Sequence, residues 1–439
     1  MGLLLIILLT GFFSGSFAQP ERVIGNFSGV GVRAMGMGGA YIAVADDFTA
    51  SYWNPAGLAQ ITDRKLDISF SRRSHYNKSV FNQTQDGLGI SNTGFTAMGF
   101  VYPYPVYQGS LVFAIGFNQV VDFDWGLRQT GFDKINRLQA RHHFQHEGQL
   151  TLSSISVAVD VSPFISLGGT LGLVGGDDQH RNEFFYMDVN DNYTYKNLRS
   201  EDTFLDEYEG ARSLSLGALV RMPRENPRLR IGATVASSIG QEIQYNFRGN
   251  PEGYTSVEYD NEDIQTLGKI SLRGRYEIKL PLRYAIGFSY FPFEDMLLST
   301  GVSISEWSQS EYVCCDEQQE PLRAETKFDR QYRDVVRYHF GAEWRVPTIA
   351  LDLRAGYYTD PLPFIGPYES SDPPIEMKSE RRFFTIGAGL LLDEVVQLDI
   401  GWIRGEFEQV EQVMDSGITN FLSQDTRITR VFISLGYSF

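Results

Sequence analysis

Hydrophobic and polar positions alternate with a period of two along most of this chain. Near its C-terminal end Val431, Ile433, Leu435, Tyr437 and Phe439 alternate with Ser434, Gly436 and Ser438, and Phe432 alone breaks the small or polar set. Such a run predicts a strand with one apolar face. The same alternation recurs in Val396–Trp402, Tyr338–Trp344, Leu351–Tyr357 and Ile155–Val161. The second face of these runs is Gly, Ser and Ala with scattered charges, whereas the exposed face of a soluble sandwich would favour Lys, Glu and Thr. That composition suits the crowded polar interior of a barrel whose other face meets lipid.

Marking every such run predicts strands at Lys65–Ser71, Phe95–Tyr102, Leu111–Phe123, Gln149–Val161, Ile165–Val174, Ser213–Arg221 and Arg228–Ile239. The second half adds Lys269–Phe291, Met296–Trp307, Asp334–Arg345, Ile349–Tyr358, Arg382–Leu392, Val395–Phe407 and Arg427–Phe439. Lys269–Phe291 is taken as one strand, because no turn residues accompany Pro281 and a lone proline fits at a bulge. The total is then about 14, an even number, as in single-chain bacterial barrels. The connections between these runs alternate without exception: short at Ser162–Phe164 or Asp393–Glu394, long at Arg72–Gly94, Asp124–Gly148 or Gly175–Arg212. Transmembrane barrels have this asymmetry, with short turns on one side and long loops on the other. The expected fold class is therefore all-β, a transmembrane antiparallel barrel spanning residues 65–439.

The first residues follow another pattern. Leu3 to Leu9 is an unbroken apolar run, and Ser16-Phe17-Ala18 places small residues before Gln19. Residues 1–18 read as a secretory signal peptide, although no Lys or Arg precedes the apolar run. Residues 19–64 lack strand alternation and are rich in small residues, with Gly29, Gly31, Gly36, Gly38 and Gly39 among them. Small residues permit close backbone packing, and a wide barrel has a lumen to fill, so this segment is expected to be a plug inside the barrel.

The plug segment also carries a resemblance. Arg33-Ala34-Met35-Gly36-Met37-Gly38-Gly39-Ala40, then Ala45-Asp46-Asp47 and Asn54-Pro55-Ala56-Gly57-Leu58, resembles the N-terminal hatch of the FadL/TodX family. Further agreement lies at Leu280-Pro281, Ile304-Ser305-Glu306-Trp307-Ser308, Arg354-Ala355-Gly356-Tyr357 and Asp360-Pro361-Leu362-Pro363. The family comprises outer-membrane transporters of long-chain fatty acids and aromatic hydrocarbons. The resemblance implies a fourteen-stranded barrel in the bacterial outer membrane, with a hatch built on Gly36, Gly38, Gly39, Asp46, Asp47, Asn54, Pro55, Ala56 and Gly57. Asn54 and Pro55 suit a fixed turn where the chain leaves the lumen. PorV-like relatives that serve protein secretion share the same signature, so it identifies the scaffold better than the cargo. A chain ending on an aromatic residue within an alternating strand also resembles the terminal signal of such barrels.

Composition narrows the functional classes. The net charge of −16 argues against nucleic acid, which requires clustered Lys and Arg. Mean hydropathy is −0.21, which a transmembrane barrel produces because only alternate residues face lipid. Two cysteines, the neighbours Cys314 and Cys315, exclude a disulfide scaffold. Gly36-Met37-Gly38-Gly39 lacks the strand and the Lys-Ser/Thr of a phosphate loop, and no nucleophile or zinc-protease motif is present. His142, His143 and His146 lie together beside Glu147, but no further ligand pattern completes a site, so no metal and no cofactor are expected. The chain reads as a non-enzyme.

Aromatic residues cluster in two of the long connections. Phe184, Phe185, Tyr186, Tyr193, Tyr195, Phe204 and Tyr208 lie in one, and Tyr245, Phe247, Tyr254 and Tyr259 in the next. Of these, Phe184, Phe185, Tyr186, Tyr245 and Phe247 are candidate ligand contacts in a landing groove for greasy molecules. Loop-on-loop packing that caps the barrel is the alternative, and the rarity of exposed apolar patches favours it. Trp307, Trp344 and Trp402, near strand ends, are expected at the membrane interfaces. Two functions remain open at this stage. One is a monomeric channel for passive uptake of a hydrophobic small molecule, seated among outer-membrane lipid. The other is an outer-membrane scaffold whose long acidic loops hold a protein partner.

Overall fold

The computed structural model describes residues 27–223, 228–237, 239–249, 254–315, 327–367 and 371–439. The expected signal peptide, the first residues of the plug segment (19–26) and the side chains of Cys314 and Cys315 lie outside the described residues.

Among the described residues, 14 strands close into an antiparallel barrel. They are β1 (Lys65–Phe81), β2 (Thr84–Tyr104), β3 (Leu111–Asp122), β4 (Leu138–Asp160), β5 (Ile165–Met187), β6 (Tyr195–Met222) and β7 (Leu229–Ala236). The circle continues through β8 (Arg283–Phe293), β9 (Met296–Ser305), β10 (Val335–Val346), β11 (Leu351–Thr359), β12 (Arg382–Leu392), β13 (Val396–Asp415) and β14 (Ile418–Ser438). Each strand pairs with the next in chain order, and β14 returns to β1 with Ser438 opposite Lys65. Closure satisfies every ladder and leaves no edge, a requirement in hydrocarbon. The alternation read from sequence sorts as expected. On β4, Ile155 and Val157 point outward and Ser154, Ser156 and Ala158 are buried toward the lumen.

Two expectations need correction. Lys269–Phe291 is not one strand but two. Ile270–Leu280 pairs with Ile239–Gly249 and Glu311–Cys315 in a sheet that extends the outer wall, and only Arg283–Phe293 is a barrel stave. Pro281, with no N–H to donate, stands at the break between them. The barrel count is unaffected because one half of the run leaves the circle. The long connections, in turn, are mostly strand. The hairpin of β1 and β2 stays paired to Phe81 opposite Thr84, and β4 pairs with β5 as far as Gln139 opposite Met187. A strand needs only about 9–11 residues to cross a bilayer. The 28 residues of β6 therefore stand far above it. Beyond the lipid neither face is forced to be apolar, so the ladder continues where the alternation stops.

Residues 27–61 lie within the lumen, and the exposed residues 62–64 lead into β1. Two short helices, α1 (Val32–Gly36) and α2 (Ala50–Trp53), and a 3-10 turn over Pro55–Gln60 fill the lumen. Met35, Met37, Tyr41 and Leu58 are among the largest fully buried side chains of the protein. The small inward residues of the wall accept this segment's backbone directly. A methyl group on Gly341 or Gly356 would meet Met37 or Gly38 backbone, and one on Gly168 would meet Pro55.

Candidate functional site

The plug is fixed to the wall by charge. Arg33 of α1 donates to Glu343 of β10 from Nε at 2.7 Å and from a terminal nitrogen at 2.8 Å. Arg33 also pairs with Asp46, and Arg354 of β11 joins Glu343 at 2.6 Å and Asp399 of β13. A second anchor centres on Asp360, which accepts from Arg337 at 2.8 Å, Arg381 at 2.7 Å and the Phe27 amide at 3.2 Å. Backbone carbonyls of the plug are taken up as well: His339 Nδ1 donates to Gly38 at 2.9 Å, and the Thr385 hydroxyl to Gly36 at 3.0 Å.

The residues expected to define the hatch come together here. Gly38 and Gly39 have φ of +64° and +71°, a region that only glycine enters without strain. Asp47 accepts from the Tyr41 hydroxyl and the Thr49 amide, so it closes the loop before α2. Asn54 caps the Pro55–Gln60 turn by accepting from Ala56 N–H, and its amide donates to Ile42 O at 2.8 Å and Ala218 O at 3.1 Å. Gly57 lies where any Cβ would strike the Ala45 carbonyl. Ala56 and Pro55 are buried beside it.

Above the plug the inner face changes character. A cavity of about 110 Å³ lies between Phe27 and Tyr52 of the plug and Val121, Leu150, Leu152, Val174 and Trp307 of the wall, with serines and Arg283 and Arg337 at its margin. A buried apolar layer roofs it, built from Phe123, Tyr208, Ile243, Tyr276, Ile278, Phe328 and Tyr332. Phe123 stacks on Tyr208 at 5.5 Å. This chamber is reached only by inward-pointing side chains from several staves, so sequence reading missed it. One signal was available: Leu150 and Leu152 share the phase of inward Ser154 and Ser156 rather than that of lipid-facing Ile155. Trp307 corrects another expectation, because it is buried in the chamber wall rather than placed at an interface, whereas Trp344 points outward.

The loop aromatics divide between two places. Phe184 and Tyr186 are buried in an outer cluster with Phe81, Leu138, Tyr195, Leu198 and Val257, and Phe185, on the opposite face of β5, is half-buried. Tyr245 packs on the chamber roof, and Phe247 sits 4.7 Å from Phe204. None of these five lines the cavity. The three neighbouring histidines also separate: His142 and His146 point inward on β4, and His143 faces the other way. A larger groove, lined by Leu66, Met98, Ile115, Ile155 and Leu171, lies on the lipid-facing side of the wall.

Comparison with known proteins agrees with this architecture. The family model described as outer membrane protein transport protein (OMPP1/FadL/TodX) matches residues 22–438. The fold is similar to that of a Pseudomonas aeruginosa FadL homologue, with TM-score 0.63 and 13% identity over 94% of this chain and 100% of that one. It is similar also to the toluene transporter TodX of P. putida, with TM-score 0.61 and 12% identity over 94% and 99%. The Ralstonia pickettii toluene transporter TbuX gives 0.57 and 14% over the same shares, 94% and 99%. No curated protein sequence matches the chain.

Proposed function

This chain belongs to the outer membrane protein transport family (OMPP1/FadL/TodX), and on that premise we propose that it admits small hydrophobic molecules, aromatic hydrocarbons or fatty acids, by passive uptake. The observation that carries the reading is the chamber: a mainly apolar space between plug and roof, with serines and two arginines at its margin. An apolar solute gains free energy on leaving water for such a space, at roughly 25 cal/mol per Å² of surface removed. A water-filled pore offers no such gain. The solute binds in the chamber and passes when the plug shifts.

Size supports one class over the other. An engineered apolar cavity of about 150 Å³ holds benzene, and the chamber, at about 110 Å³, is near that scale. Small rings and alkyl segments are the nearest match to this volume, and a long acyl chain would need the plug displaced or would extend out of the cavity. The test is uptake of a panel of alkylbenzenes and fatty acids by cells lacking other carriers. The intact protein should speed entry of at least one class, and Leu152→Arg, which places a charge in the chamber wall, should abolish that gain while the barrel still assembles. A panel with no gain over empty-vector cells would overturn the proposal in favour of a scaffold.

A further inference from the structure

Above the chamber roof the inward faces of β4, β5 and β6 turn polar and remain buried. Asp178 and His180 are two apart on β5 and share its inner face. The register sets His146 of β4 opposite His180 and Asp206 of β6 opposite Asp178. Asp178 is 0% exposed and His180 2%. One donor atom each from His146, Asp178 and His180 lies within 4.8 Å of the others. His180 Nε2 is 2.7 Å from Asp178 Oδ2 and 3.5 Å from Asp206 Oδ2, and His146 Nδ1 is 3.7 Å from Asp178 Oδ2.

These atoms satisfy one another only in part: His180 Nε2 and Asp178 Oδ2 are 2.7 Å apart but poorly aligned, and Asp178 Oδ1 has no partner among the described residues. Neither His146 Nδ1, His180 Nε2 nor either oxygen of Asp178 is aligned in a hydrogen bond, despite the short separations. They converge on a common space. Buried polar atoms left in that state are costly, and a single cation between them would satisfy all of them at once. We propose that His146, Asp178 and His180, joined by Asp206, bind a divalent transition-metal ion of the zinc class in the outer wall of the barrel.

The donor set selects the class. Two imidazoles with two carboxylates suit zinc, cobalt or nickel, whereas calcium and magnesium take oxygen ligands. The two carboxylates balance a charge of two. Zinc bonds to nitrogen and oxygen are about 2.0–2.2 Å, so two ligand atoms on one ion stand at most about 4.4 Å apart. The spread of 4.8 Å among His146, Asp178 and His180 is close to that limit, and Asp206 Oδ2 lies 3.5 Å from His180 Nε2. Aromatic rings hold the imidazoles in place: Trp125 packs edge-on against His146 at 5.3 Å, and Phe204 lies 6.2 Å from His180. Asp206 is two residues from Tyr208, so the ion would tie three staves together directly above the stacked roof of the chamber.

The experiment uses the full chain without a polyhistidine tag, stripped with chelator in detergent and titrated with Co²⁺ and then Zn²⁺. The expected result is one equivalent bound, with the visible bands of a low-coordinate cobalt site that Zn²⁺ displaces. His180→Ala and His146→Ala should each lower the affinity by about a hundredfold or more, since even supporting residues of such sites contribute 10–100-fold. His143→Ala, on the opposite face, should leave binding unchanged. Heat-modifiable migration on gels reports that each variant is folded. Absence of Co²⁺ binding by the unaltered protein at about 10 μM free ion, a concentration far above the dissociation constants usual for structural zinc, would overturn the proposal. Undiminished binding in folded His146→Ala and His180→Ala would overturn it equally.

Discussion

Glu343→Gln removes one charge, keeps the side-chain shape and strikes the link between plug and wall. The carboxylate is about nine-tenths buried and receives three hydrogen bonds, two from Arg33 and one from Arg354. The Arg354 bond lies within the wall and persists whether or not the plug moves, so only the Arg33 pair bears on docking. Arg33 keeps Asp46 and Arg354 keeps Asp399, so neither guanidinium is stranded. Removing one partner of a buried pair costs about 3–5 kcal/mol when a charge is left alone. With the remaining partners in place, about 2–3 kcal/mol is the fair figure, and each 1.36 kcal/mol is a factor of ten. The displaced form of the plug should then rise roughly 30- to 150-fold. Hydrogen exchange reads this directly, because the plug amides of Met35 and Ala45 are bonded within the plug at 3.0 and 2.8 Å and open with it. Peptides from 30–60 should exchange faster by that factor, with barrel peptides unchanged. Unchanged plug exchange, or equal acceleration in β4 and β5, would refute the reasoning, the second by showing general loosening.

Two other expectations rest on single residues. Gly38→Ala places a methyl 2.6 Å from the Tyr357 amide nitrogen at a φ of +64° and should cost at least about 1–2 kcal/mol of plug docking; Gly36→Ala, whose nearest atom would be 3.4 Å away, should change plug exchange little, and equal effects would contradict the packing. His142, buried against Phe184 and Tyr186 on the outer part of β4, has its pKa lowered by burial from 6.5 to about 4, with Asp133 acting the other way. Its opened form takes up a proton below pH 6.5 that the packed form refuses until about pH 4, so the stability of the outer cluster should fall across that window, by about 3 kcal/mol at its end. Hydrogen exchange of residues 138–147, corrected for the intrinsic pH effect, should show this, and His142→Phe should remove it.

How much of this was legible in the chain depended on what the surroundings impose. Lipid outside and small residues inside force a period of two, so the membrane part of each stave was readable, as in Ile155–Val161 and Arg427–Phe439. Above the membrane nothing enforces that period, and the hairpin through Phe81 and Thr84 read as a loop although its ladder is unbroken. Pro281 was visible, but whether the chain turns out of the barrel there depends on partners in Ile239–Gly249 and Glu311–Cys315, which pattern alone does not reveal. The hatch was legible because its glycines are required by backbone approach to Gly341 and Gly356, a demand that leaves a dense motif. The chamber leaves none, since Val121, Leu150 and Val174 come from separate staves and Trp307 from the turn after β9, and none stands out in the sequence. The pairing of His146 with His180 was hidden for a related reason. The residues on the far side of Gln149 and Val174 read as loop, although the ladder from Asp160 opposite Ser166 runs unbroken to that pair.

The interior is three zones in series, and their order constrains transport. On the proposed path a hydrophobic solute would meet a polar outer zone around Asp178, His180 and Asp206, then the chamber, then the charged layer of Arg33, Glu343, Arg354 and Asp399. Entering the chamber is favourable by about 0.8 kcal/mol per CH₂ buried. The charged layer offers the solute nothing comparable, since its groups are engaged with one another, and parting them costs more than a small solute returns. Capture and plug displacement are thus separate steps that different residues control. Leu152→Arg acts on the first and Glu343→Gln on the second. If displacement limits the flow, Glu343→Gln alone should raise the uptake rate of a solute the unaltered protein already carries. The double variant should fall to the level of Leu152→Arg, because a solute that is not captured gains nothing from a looser plug. Uptake restored in the double variant would mean that the solute bypasses the chamber, and the three zones would not be a single path.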